Sequence, residues 1–243
     1  MLKAMWAICK KELRQFFGSL TGYLSLLLFL LLNGLFLFVF PDTGVFEFGY
    51  ADMSRFFEIS PWILLMLVPA ITMRSFSDEM RSGTWEVLRT RPIGLSPLIA
   101  GKFAAAMAIV LSAVLPTLLY VYTISRLSAG GIDLGGIAGS YIGLLLLAAT
   151  FAAVGTYCSA QTPNALAAFL MSAFACFTLF SAFGSLSTLA SLPAGVGYYV
   201  ELLGIEAHYR SVSRGVVDSR DLVYFLSLTF LFLFLTARKL SRP

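Results

Sequence analysis

From residue 134 to residue 200 the chain has no Asp, Glu, Lys or Arg. A soluble domain carries about 25% charged residues, so a run of this length cannot coat an aqueous surface. It suits hydrocarbon, where a helix needs roughly 20 apolar residues to cross and satisfies its backbone N–H and C=O groups internally. Further long uncharged runs lie on either side, and the whole chain is 58% hydrophobic and 12% charged. The runs are continuous rather than alternating, which excludes a transmembrane β-barrel. The expectation is an all-α integral membrane protein with six transmembrane helices, folded as one domain over residues 1–243.

Residues 1–21 read as an amphipathic helix, with Trp6, Cys9, Leu13, Phe16, Phe17 and Leu20 along one side and Lys3, Lys10, Lys11 and Arg14 along the other. Such a helix lies in the membrane interface. A secretory signal peptide is the competing reading, but the charged region is too long and no small-residue cleavage site follows. Span 1 covers about 22–40 and ends at Pro41-Asp42, before an acidic, aromatic loop. Span 2 opens at Ser60-Pro61, a Ser cap with proline at the first helical position. Only 15 uncharged residues separate Glu58 from Arg74. That span is therefore short or runs on past Arg74, with Pro69 kinking it.

A charged segment, 74–97, precedes span 3 at 98–125, which starts after Ser96-Pro97 and kinks at Pro116. Lys102, near the span's charged end, is expected to snorkel to water. A Gly-rich loop leads to span 4 at 137–158, and Thr162-Pro163 starts span 5 at 164–183. Residues 184–200 are uncharged but rich in Gly and Ser and carry Pro193. Broken backbone at membrane depth is tolerated only where protein or a cavity surrounds it, so this part reads as a re-entrant or interfacial helical hairpin. Residues 201–221 are polar and surface-lying, and span 6 covers 222–237.

Six spans put both ends of the chain on one side. The N-terminal helix, residues 74–102 and the C-terminal tail together hold twelve Lys/Arg and four Asp/Glu, against five and nine in the other three loops. The positive-inside rule places the first group in the cytoplasm. Within it, residues 74–92, RSFSDEMRSGTWEVLRTRP, are the densest charged run. Phe76 and Met80, like Thr84 and Leu88, stand at helical spacing, and Ser82-Gly83 divides the run into two short helical pieces. An ordinary connection is the plain alternative. Bundle connections usually take about 2–8 residues, however, and patterned charge over this length reads as a docking surface for a cytoplasmic partner that supplies energy.

The chemistry available is limited. No span has an acidic or basic residue at its middle, which argues against an ion-coupled carrier and an intramembrane aspartyl protease. His208 is the only histidine, so a multi-histidine zinc site and a Ser-His intramembrane protease have no basis. Cys9, Cys158 and Cys176 read as packing residues. The net charge of +4 is not a nucleic-acid signature once its placement is counted. GLSPLIAGKF at 94–103 has the wrong spacing for a phosphate loop, and Phe103 stands where Ser or Thr would meet Mg²⁺. Any motor is then a separate subunit. Gly18-xxx-Gly22 and Gly139-xxx-Gly143 have the spacing of helix-pairing sites, a pattern common in membrane helices. Arg210, Arg214, Asp218, Arg220 and Asp221 either face a ligand or form a salt-bridged surface helix, with Arg214 and Asp218 at i, i+4.

The order of parts resembles the ABC-2 class of ABC transporter permeases across the whole chain. That class has an N-terminal interfacial helix, six spans, a cytoplasmic coupling helix between spans 2 and 3, and a re-entrant outer hairpin before span 6. Its acidic-x-x-x-Gly-Thr-x-Glu-x-Leu pattern followed by proline matches Glu79, Gly83, Thr84, Glu86, Leu88 and Pro92, with Trp85 bulkier than the usual Leu. A narrower resemblance, to the gliding-motility-associated permeases, rests on LLLNGLFLFVF at 30–40, PAITMRSF at 69–76, LPTLLYVYT at 115–123 and AHYRSVSRGVVDSRDLVYFLS at 207–227.

The resemblance implies a non-catalytic permease subunit in the bacterial inner membrane. It would couple ATP hydrolysis to export or conformational work, in gliding or another envelope process. ATP and Mg would sit on a partner ATPase subunit, and this chain would hold no cofactor. The second partner would be another permease copy or a companion membrane subunit with a large outer domain. The expected coupling residues are Arg74, Asp78, Glu79, Arg81, Gly83, Thr84, Glu86 and Pro92. A membrane anchor or mechanical scaffold that docks a partner without moving a solute is the alternative. Uncharged spans suit a lipidic or polypeptide cargo, or none.

Overall fold

Continuous apolar runs leave the backbone no partner but itself, and the regular elements among the described residues are all helices. The computed structural model describes residues 2–40, 52–90, 94–128, 131–187, 194–216 and 218–241. In chain order the helices are α1 (Leu2–Phe17), α2 (Leu20–Phe38), α3 (Ser54–Thr72), α4 (Arg74–Arg81), α5 (Thr84–Thr90), α6 (Leu95–Val114), α7 (Leu118–Leu127), α8 (Leu134–Ser159), α9 (Ala165–Phe177), α10 (Phe183–Ser187), α11 (Ala194–Leu202), α12 (Ile205–Val212) and α13 (Ser219–Ser241). Six segments are long and apolar enough to cross a membrane. They are Leu20–Phe38, Ser54–Arg81, Leu95–Leu127, Leu134–Ser159, Ala165–Ser187 and Ser219–Ser241. The chain is thus an all-α, multi-pass membrane protein.

The centre of the bundle is α8. Leu144, Leu147, Ala148, Phe151, Ala152 and Val154 are fully buried there, and α3, α6, α9 and α13 pack around it. By contrast α2, α9 and α13 keep most of their surface outward. Polar clamps fix the outlying helices. Buried Ser60 donates to Asn33 Oδ1 at 2.7 Å, joining α3 to α2. Tyr120 on α7 donates to the Leu30 carbonyl at 2.8 Å.

The expected starts of spans 2, 5 and 3 all move. Span 2 begins at Ser54, not at Ser60-Pro61. The Asp52 carboxylate accepts from Met53 N at 2.7 Å and from the Ser54 hydroxyl, and the buried aromatic pair Phe56 and Phe57 draws the first turn into the core. Pro61 therefore lies inside the helix. It cannot donate to the carbonyl of Phe57, four residues back, and Tyr209 from α12 donates there instead, at 2.7 Å. Span 5 is capped by Asn164 rather than Thr162-Pro163. Its Oδ1 accepts from Leu166 N at 3.0 Å and Ala167 N at 3.4 Å. Span 3 starts at Leu95, which puts Pro97 in the first turn, where a missing N–H costs nothing. Pro116 falls in a 3₁₀ turn, Leu115–Thr117, between α6 and α7.

The polar part after span 5 is built into the bundle instead of lying on its surface. Ile205, Tyr209 and Val212 of α12 are buried. The glycines at 139 and 143 make room for this. A Cβ at Gly139 would stand 2.7 Å from the Gly215 carbonyl, and one at Gly143 2.7 Å from Val212 Cγ1. A Cβ at Gly22 would likewise meet the Phe16 carbonyl at 2.3 Å. Both spaced-glycine pairs are therefore used within the chain, in the α8–α12 contact and the α1–α2 corner. The uncharged segment forms a helical hairpin of α10 and α11, and residues 188–193 between them lie outside the described part. Span 5 reaches α10 through a π-helical turn, Thr178–Ala182, which sets Phe180 edge-on to Trp62 at 5.3 Å.

Removing the Tyr209 hydroxyl leaves the Phe57 carbonyl buried without its donor. Tyr209→Phe is expected to cost about 1–3 kcal/mol, read by unfolding of the purified protein in detergent. In a Pro61→Ala background residue 61 supplies its own N–H, and most of that cost should vanish in the double-mutant cycle.

Candidate functional site

The charged run between spans 2 and 3 folds as an extension of span 2. Past a single turn residue, Met73, α3 continues as α4, so the helical segment runs 28 residues from Ser54 to Arg81. The joint is held from outside. Ser159, at the end of α8, accepts from Phe76 N at 2.9 Å and Ser77 N at 3.1 Å, and donates to the Met73 carbonyl at 2.9 Å. At the other end Gly83 takes φ +70°, a left-handed conformation that suits glycine and ends a helix. The expected division at Ser82-Gly83 is therefore present, with α5 folded back so that Trp85 meets Phe76 edge-on at 5.9 Å. Beneath them is a second apolar cluster, separate from the main core, of Phe76, Leu98, Ile99, Ala160 and Leu240.

A buried ion cluster fixes this knuckle. Lys102 of α6 does not snorkel; its side chain is 1% exposed. Lys102 Nζ donates to Glu12 Oε1 at 2.9 Å and to the Ser75 carbonyl, and forms an ion pair with Glu79 Oε1 at 2.9 Å. The same ammonium stands 4.9 Å from the centre of the Phe76 ring. Lys11 also reaches Glu79 Oε1, at 3.0 Å. Burial is the largest single influence and works against the Lys11 cation, but the Glu79 and Glu12 carboxylates together outweigh it and hold the ammonium above its ordinary value. Two acids and two bases from α1, α4 and α6 thus neutralise one another. α1 reaches them because Gly101 has no side chain, where a Cβ would sit 2.8 Å from the Met5 carbonyl. Cys9 is buried in the same helix, and burial raises its thiol, so it packs as a neutral group.

The expected coupling residues separate into two groups. Arg74, Arg81, Gly83, Thr84 and Glu86 are exposed, Asp78 is half-buried and Glu79 is buried in the ion cluster. Pro92 lies outside the described residues. Sequence reasoning missed Lys11, Glu12, Lys102 and Ser159 as parts of this site. Two signals were available, since Glu12 is the sole acid of α1 and Lys102 the sole charge of α6. Ser159 carries no such signal.

The opposite end of the bundle holds a pocket of about 740 Å³ lined by Glu58, Trp62, Tyr198, Glu201, Arg210 and Arg214, among others. The expected Arg214–Asp218 pair does not form. α12 stops at Val212, Gly215 turns with φ +86°, and Asp218 accepts from Arg220 N at 3.0 Å. Instead Arg210 pairs with Glu206 at 2.6 Å. Asp221 is buried against His208 Nδ1 at 2.6 Å, while the other ring nitrogen faces the Leu202 carbonyl at 2.9 Å. Among the described residues no group of His, Cys, Asp or Glu is arranged to hold a metal ion. Comparison with known proteins finds no matching family model and no matching curated relative.

Truncating Lys102 while leaving the carboxylates in place strands buried negative charge. Lys102→Met is expected to destabilise the purified chain by about 3–5 kcal/mol. Adding Glu79→Gln should recover part of that loss, which thermal unfolding in detergent would read as a partial return of Tm.

Proposed function

We propose that this chain is the permease subunit of an ABC transporter of the ABC-2 class, driven by a separate ATPase that docks on α4 and α5. The observation that carries the reading is mechanical. α4 is covalently and helically continuous with span 2, it is pinned to α1 and α6 through Glu79, and it still presents Arg81 to solvent, with Thr84 and Glu86 exposed on α5. A push on α4 at Arg81 meets no loop before it reaches a spanning helix, whereas α5 joins α4 through the turn at Gly83. The matching Glu79, Gly83, Thr84 and Glu86 motif adds to this, as does the excess of Lys and Arg at the same end of the bundle.

In this reading nucleotide-driven closure of two ATPase subunits displaces α4 and α5, and spans 2 and 5 convert the displacement into opening of a path. Arg81, Thr84 and Glu86 meet the motor. Glu79 acts from behind them, as the residue that ties the docking piece to the bundle. The end bearing α4 and both chain termini faces the cytoplasm of a bacterium, and α10–α11 forms a re-entrant hairpin toward the outer side. The outward apolar faces of α3 and α9, at Trp62, Met66, Leu170 and Phe174, suit lipid together with a second membrane subunit. That subunit is a further permease copy or a companion with a large outer domain, and the assembly serves gliding or another envelope process.

The test is reconstitution with the cognate ATPase in liposomes. Gly83→Pro removes the left-handed turn and Glu86→Lys reverses the exposed charge. Both are expected to assemble but to lower stimulation of ATPase activity by at least about fivefold. Unchanged stimulation in both variants rules out coupling through this segment. ATP-driven shape change with no solute, lipid or polypeptide crossing the bilayer favours the scaffold role instead.

A further inference from the structure

A second cavity, of about 400 Å³, lies beside the α3–α4 joint, between the α1–α2 corner, α3 and α6. Its wall divides by chemistry. Ser19, Thr21 and Arg74 are polar, while Phe16, Ile71 and Ile109 are apolar and descend between spanning helices. Glu12 and Lys102 also face it, but they are paired with each other at 2.9 Å, in a cluster whose two acids and two bases cancel. Arg74 is different. It is exposed on the pocket wall and makes no hydrogen bond or ion pair among the described residues, so the described wall carries one uncompensated positive charge.

We propose that this cavity binds one anionic phospholipid, with its phosphate on Arg74 and an acyl chain against Phe16, Ile71 and Ile109. The charge selects an anion, since guanidinium is a fitting partner for phosphate oxygens. The apolar wall selects a lipid over a soluble phosphate, because a free anion would leave that surface facing water. Basic pockets between spanning helices are the setting in which lipid head groups are recognised. The site also sits where α1, α2 and the start of α4 converge, so an occupant bridges the elements that hold the docking segment. Arg74 then serves the membrane, apart from the residues that face a motor.

Binding is measured on the full chain purified in detergent and delipidated, so the result does not depend on any ATPase. Native mass spectrometry follows retention of dioleoyl phosphatidylglycerol against dioleoyl phosphatidylcholine, with sn-glycerol 3-phosphate as a soluble competitor. The expected result is one preferentially retained phosphatidylglycerol, about fivefold weaker in Arg74→Gln and restored in Arg74→Lys. Thr21→Trp, an exposed change that narrows the mouth, should weaken it without altering the charge. Equal retention of the two lipids, or no effect of Arg74→Gln, overturns the proposal as ordinary annular lipid. Displacement by sn-glycerol 3-phosphate overturns the lipid assignment in favour of a soluble phosphate.

Discussion

One ammonium group holds the α1–α4–α6 end of this protein together. Lys102 is buried at the end of a spanning helix, where an unpaired charge would cost several kcal/mol, on the order of the whole stability of a domain. Two hydrogen-bond acceptors and a second carboxylate, on two different elements, surround its three donors. Glu12 comes from α1, Glu79 and the Ser75 carbonyl come from α4, and Phe76 supplies an aromatic face. A charge in that position tolerates little displacement of any partner, because each lost contact leaves a buried polar group unsatisfied. The cluster thereby specifies one arrangement of α1, α4 and α6, where apolar packing alone would accept several.

The same requirement governs the rest of the bundle. Where a proline or a helix end exposes backbone in a low-dielectric setting, a side chain from elsewhere answers it. Tyr209 reaches the carbonyl that Pro61 frees, and Ser159 takes the amides at the start of α4. Burial pushes the Tyr209 phenol up, which keeps it a neutral donor. Both contacts are long-range in sequence, so they bind distant parts of the chain to span 2 at its two ends. Tyr209 acts at the end with the 740 Å³ pocket and Ser159 at the end with α4.

What the sequence made legible follows from range. Six spans could be read because each depends on its own composition, and the two-piece charged run could be read because Gly83 acts locally. Helix starts were less legible. Ser60-Pro61 is a sound local cap, yet Asp52 and the burial of Phe56 and Phe57 begin the helix earlier. Lys102 shows the same limit. A lone lysine near the end of a span ordinarily snorkels, and only the approach of α1 over Gly101 supplies the carboxylate that keeps it inside. Glu79 stood out in the charged run, but nothing within the run distinguishes an acid facing a partner from one facing the bundle.

The length of span 2 gives this arrangement its consequence. Its 28 helical residues at 1.5 Å each reach about 42 Å, against a hydrocarbon core of about 30 Å. The surplus of about 12 Å, two turns, equals the length of the eight residues of α4. A separate coupling helix on a flexible linker could rotate without moving a span. Here the linker is absent on the span 2 side, and the flexible position, Gly83, lies beyond the ion cluster. Motion imposed on α5 alone can be absorbed at Gly83, whereas motion imposed on α4 cannot. Glu79 ties α4 to α1 and α6 through its contacts with Lys11 and Lys102.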